Sequence, residues 1–91
     1  DKNKGMLFIY PKEKMACMWM KNTFLALDII FISNENKITE ITKNNQPLEL
    51  KSICSSEKVI AVLELLGGTS DLLDITVGSL INYELVKRTN K

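Results

Sequence analysis

The sequence predicts a mainly β fold, a small antiparallel sandwich or partly closed barrel with one short helix near residues 69–74. Three observations predict it. Short runs rich in β-branched and aromatic residues recur along the chain, breakers of Asn, Pro, Gly or clustered charge separate them, and no long helical period alternates with them as parallel βαβ units require. The 91 residues suit a single domain, 1–91. An apolar fraction of 45% and a charged fraction of 25% match ordinary globular chains.

Taken in order, GMLFIY at 5–10 is apolar and aromatic, and Pro11 is expected to stop it as a strand before a charged turn, KEK, at 12–14. MACMWM at 15–20 shows no polar alternation, which predicts a strand buried on both faces. KNTF is a connection. LDIIFI at 27–32 is the strongest strand signal, and NEN at 34–36 breaks it, with Asn36 suited to a left-handed turn position. KITEIT at 37–42 returns as its hairpin partner. KNNQP at 43–47 reads as a loop, LELKS at 48–52 as a brief strand, ICSSEK as a connection and VIAVLEL at 59–65 as a second buried strand. Gly67 and Gly68 end that strand, and Thr69 is placed to cap a short helix over SDLLD. Val77 and Gly78 turn the chain into a last strand, LINYELV at 80–86.

Composition narrows function mainly by exclusion. Twelve basic and eleven acidic residues leave a net charge of +1, so no global field draws a nucleic acid. No apolar run reaches the length of a membrane span, and DKNKGMLFIY lacks the long apolar region of a signal peptide, so a soluble domain is expected. Cys17 and Cys54 lack a CxxC spacing and are expected as two buried apolar thiols. The absence of histidine removes the usual Ser/His and Cys/His pairs and most catalytic metal sites; no catalytic residue, metal or cofactor is expected. GGTS before the helix lacks both the GxGxxG pattern and the ending of a P-loop.

One cluster stands out. Trp19, Lys21, Asn22, Thr23 and Asp28 bring a large ring, an ammonium, an amide, a hydroxyl and a carboxylate together along a short stretch. If the flanking strands pair, Lys21, Asn22 and Thr23 offer donors to a small polar ligand, with Trp19 as a stacking wall. In the competing reading Trp19 fills the core, Asn22 takes a turn dihedral, Lys21 is solvated and Asp28 caps loop amides. A carboxylate inside LDIIFI is costly unless hydrogen-bonded, which makes Asp28 worth following, and Glu64 in VLEL poses the same question more weakly. Two functions follow. One is a non-enzymatic accessory domain that binds a small polar ligand or a protein partner. The other is an enzyme directed at carbohydrate or envelope material, with Asp28 and Glu64 as a carboxylate pair roughly 5–10 Å apart.

GMLF at 5–8, WMKNT at 19–23, LDIIFI at 27–32, N-x-N-K-I at 34–38, VLEL at 62–65, GT at 68–69 and VG at 77–78 resemble, in order and spacing, the bacterial and archaeal family named domain of unknown function 192. The resemblance spans the chain to about Leu85. It implies a compact β-rich barrel or sandwich, often exported or lipid-anchored in bacteria, with no established activity, and so a periplasmic or exported location. Its motif positions fall on Trp19, Met20, Lys21, Asn22, Thr23, Asp28, Glu64, Gly68 and Gly78. Relatives usually carry proline where this chain has Ala26, glycine at Asn36 and Asp74, and aspartate at Ser79. Asn and Asp tolerate left-handed backbone, so both turns are expected to survive, whereas any site that used the acid at position 79 is weakened. Relatives also begin with a strand and an Arg-Gly-Leu-Met segment that this sequence lacks. Two alternatives follow: either an N-terminal strand present in relatives is missing from this sequence, or the sheet has an unprotected edge through which a second copy could pair as a homodimer.

Overall fold

LDIIFI forms β3 (Leu27–Ile32), and every residue of it after Leu27 is buried. A continuous apolar run suits a strand covered on both faces, and β3 lies inside the sheet. It pairs antiparallel with β4 (Ile38–Asn45) on one side and β6 (Val59–Leu66) on the other. β6 in turn pairs antiparallel with β1 (Gly5–Lys14), giving the order β1-β6-β3-β4. The computed structural model describes residues 5–81. Two short strands, β2 (Cys17–Met18) and β5 (Ile53–Cys54), form a separate ribbon.

The pleat sends alternate residues of β3 to opposite faces, and each face has its own cover. Ile29, Phe31 and Val62 pack with Ala16 and Met20 from the segment around β2, joined by Met18 and Ile53 of the ribbon. Ile30, Ile32 and Ala61 pack on the other side with Ile38, Leu63, Leu65, Ile75 and Ile81. The mainly β, antiparallel architecture with one short helix is as the sequence predicts. Among the described residues β1 and β4 remain the outer strands, so the sheet does not close into a barrel.

Several local expectations are corrected. β1 does not stop at Pro11 but runs to Lys14, with a register shift between Ile9 and Lys14; an outer strand tolerates proline where pairing is interrupted. MACMWM is not buried on both faces. Ala16 and Met20 are buried, whereas Met15, Cys17 and Trp19 point out, a period of two that the sequence hides because both faces are apolar. Cys17 and Cys54, expected as buried thiols, are exposed and form a disulfide across the β2–β5 ribbon. That pairing places β5 in the segment expected as a connection, while LELKS is irregular, with Leu48 at φ 63°. Ser55 locks the ribbon further: its Oγ accepts from the Ala16 amide at 3.0 Å, and its own amide donates to the Ala16 carbonyl at 2.8 Å.

Turn chemistry follows the expectation at two places where glycine is absent. Asn36 and Asp74 adopt φ of 63° and 55°, both left-handed. Helix α1 (Thr69–Leu72) is capped differently from the expectation: the N-cap is Gly68, at φ 94°, and Thr69 lies inside the helix without a capping bond. Of the predicted last strand, Leu80 bridges Lys37 and the Ile81 amide donates to the Asn36 carbonyl at 2.7 Å, while residues 82–86 lie outside the described residues.

Candidate functional site: an apolar cleft at one end of the sheet

The WMKNT segment leaves the ribbon and turns at its end. Met20 is drawn into the core, which fixes the segment's exit, and the Thr23 amide closes the turn on the Met20 carbonyl at 3.2 Å. Trp19 is 54% exposed, so the indole does not fill the core; the Lys21 ammonium lies over its ring, 5.5 Å from the centroid. Such a pair is an exposed cation–π contact of modest strength. Asn22 is exposed at the turn and Thr23 is half-buried. The chain then runs to β3, tied by the Leu48 amide to the Thr23 carbonyl at 3.1 Å and by the Gly67 amide to the Ala26 carbonyl at 2.8 Å.

Asp28 is closed to solvent, at 0% exposure. One carboxylate oxygen accepts from the Asn44 amide at 2.9 Å and the Gly68 amide at 3.2 Å. The other accepts from the Ser70 amide at 2.9 Å and the Ser70 hydroxyl at 2.7 Å. Burial pushes the carboxyl up, but these donors outweigh it and hold Asp28 below its ordinary value of 3.8. The cap that α1 lacks locally thus arrives from β3 across the fold. The same carboxylate pins Asn44, a left-handed residue at φ 51°. Asp28 therefore has no face left for a ligand; it ties β4, the Gly67–Gly68 turn and α1 to the central strand.

A cleft of about 330 Å³ opens where the WMKNT connection passes the end of the sheet. Met6 and Gly5 of β1, Glu64 to Leu66 of β6, Leu27 of β3, and Thr23 and Leu25 of the connection line it. Gly5 permits the close approach of β1 to β6, since a Cβ there would lie 2.6 Å from Leu65 Cδ2 and 2.8 Å from the Glu64 carbonyl oxygen. The walls are mainly aliphatic, and part of the rim stands in water: Met6 and Leu25 are 59% and 60% exposed. Among the described residues Glu64 is the one ionisable side chain of the lining. It is half-buried, and desolvation raises its carboxyl above the ordinary value of 4.5. Its negative charge, after burial itself, also raises the Tyr10 phenol.

Of the five residues singled out in the sequence, only Thr23 lines this cleft. Trp19 and Lys21 pair on the outer surface, Asn22 projects from the turn, and Asp28 is enclosed. The carboxylate pair needed by the enzymatic alternative is not formed. Asp28 sits opposite Leu65, and Glu64 opposite Ile29, so their side chains leave the sheet on opposite faces. Sequence reading did not single out Met6, Leu25, Leu27, Leu65 or Leu66; Met6, Leu27 and Leu65 lie in runs read as strands. The available signal was Leu25, an aliphatic residue inside a connection with no strand of its own to pack.

The sequence profile of the family DUF192, described as "Uncharacterized ACR", matches residues 1–83. A solved protein of unknown function from Novosphingobium aromaticivorans is 32% identical, with a TM-score of 0.87 over 90% of this chain and 59% of that one. A solved protein from Sinorhizobium meliloti, named as a candidate transcription regulator, is 39% identical, with a TM-score of 0.85 over 88% of this chain and 62% of that one. The chain thus spans about three fifths of the length of each. No curated protein matches it. With its profile matched over most of its length and its sheet shared with two solved relatives, the chain belongs to the DUF192 family.

Proposed function

We propose that the chain is a non-catalytic binding domain whose cleft, bounded by the WMKNT connection, seats a small ligand. The observation that supports this reading is the cleft itself: a mainly aliphatic recess of about 330 Å³ with, among the described residues, a single half-buried carboxylate and one hydroxyl. That volume sits at the low end of small-molecule sites, and sparse polar groups in apolar walls are their usual make-up. In this reading Thr23 and Glu64 meet the ligand, Met6 and Leu25 form the exposed rim, Trp19, Lys21 and Asn22 stand outside the cleft, and Asp28 positions the β6–α1 turn. The name of the Sinorhizobium meliloti relative suggests transcription, but a net charge of +1 gives that role no electrostatic support here. A homodimer through a strand edge, the second alternative of the sequence reading, would use β4 more readily than β1, since Pro11 withholds a donor from the β1 edge.

The test is a screen of small apolar molecules of each charge type, read by amide chemical-shift changes in the full chain. Thr23, Leu25, Leu27 and Glu64 to Leu66 should respond together to a binding molecule, and Leu25→Gln should weaken it. Shifts elsewhere only, or none with any compound, would end the proposal.

A further inference from the structure

The lining of the cleft discriminates between ligand charges. Among the described residues its walls, chiefly Met6, Leu25, Leu27, Leu65 and Leu66, present no charge, so that Glu64 is the charge a ligand meets there. Among the described residues no donor satisfies the Glu64 carboxylate: the perturbation of its titration has burial as its one cause, and the described ion pair is Lys43 with Asp71. Lys21, the motif's own cation, is engaged with the Trp19 ring. An anion entering the cleft would meet like charge at short range in a poorly hydrated space. A neutral apolar molecule would strip water from the carboxylate and give nothing back. A cation with an apolar body does the opposite: it pairs with the carboxylate while its hydrocarbon covers the leucines.

Resting on the reading of the cleft as a small-ligand site, we infer that its ligand class is amines with an apolar body, the ammonium paired with Glu64 and the hydrocarbon lying against Met6, Leu25 and Leu66. Thr23 adds a hydroxyl on the connection side. Asp28 plays no part in this choice, since its carboxylate is filled by protein donors on the other face.

The experiment compares n-hexylamine, n-hexanol and hexanoate against the full chain at neutral pH, by amide chemical-shift titration, in wild type, Glu64→Gln and Leu25→Gln. Hexylamine should bind at Thr23, Leu25 and Glu64, tighter than hexanol by about three- to tenfold, a range set by a partly exposed charge-assisted contact. Hexanoate should be the weakest. Glu64→Gln should erase the preference for the amine, and Leu25→Gln should weaken amine and alcohol alike. If hexanol binds in the cleft as well as hexylamine and Glu64→Gln changes neither, the amine assignment is wrong while the binding site stands. If none of the three perturbs the cleft residues, both the assignment and the site are overturned.

Discussion

Asp28 and Glu64 stand one rung apart on adjacent strands, yet they face opposite environments. Asp28 looks into the side of the sheet covered by α1 and is met by three backbone amides and a hydroxyl. Glu64 looks toward the cleft and meets none among the described residues. The first is held ionised, the second is pushed toward its neutral form. The difference teaches how to tell a carboxylate that builds a fold from one that is available for binding. Burial alone does not decide it; the count of protein donors does.

The comparison breaks most severely at Asp28. Asp28→Ala orphans several enclosed donors at once and should cost about 4 kcal/mol of unfolding free energy, read by urea denaturation. The contribution of Asp28 also has a pH signature. Because its folded value lies below the ordinary 3.8, its stabilisation is present above that value and is lost as pH falls through the folded value. Of similar size is the Cys17–Cys54 disulfide, whose sequence separation of 37 residues suggests about 4 kcal/mol on reduction or on replacing both by Ser. That loss should loosen the ribbon over Ile29 and Phe31, the face Glu64 shares, and leave the Asp28 bonds in place.

Glu64 sharpens the contrast because its sign is reversed. A raised folded value means its contribution is favourable below 4.5 and is lost as pH rises through the folded value. Glu64→Gln should therefore stabilise the chain at neutral pH, by less than about 1 kcal/mol once partial solvation is allowed for. A measured loss of stability would show that the carboxylate has a structural partner. The smallest effect belongs to the surface: Lys21→Ala removes the contact with Trp19 and should cost about 0.5 kcal/mol, leaving thermal unfolding nearly unchanged.

What the sequence made legible follows the strength of local signals. LDIIFI and VIAVLEL are dense in β-branched residues, and both appear as central strands close to their predicted bounds. The turn at Asn36 was legible in the breaker NEN, and that at Asp74 through the family resemblance, whose members usually carry glycine there; both side chains tolerate left-handed backbone. MACMWM misled because its outward positions are as apolar as its inward ones; only the partner Cys54 and the ring-stacked Lys21 explain the outward Cys17 and Trp19. The Asp28 cap joins residues about forty positions apart, and no window along the chain contains both ends of it. The cleft was hidden for the same reason: β1, β3 and β6 meet at its walls only once the sheet has formed.

The most direct test of this division of labour is a carboxyl-detected NMR titration of the folded chain, with Asp28 and Glu64 assigned individually. The account predicts that Asp28 titrates below 3.8 and Glu64 above 4.5 in the same sample. Glu64 titrating below its ordinary value would mean that protein donors already occupy it, and Asp28 titrating above its own would mean that the bonds from Asn44, Gly68 and Ser70 do not hold it. Either result contradicts the account.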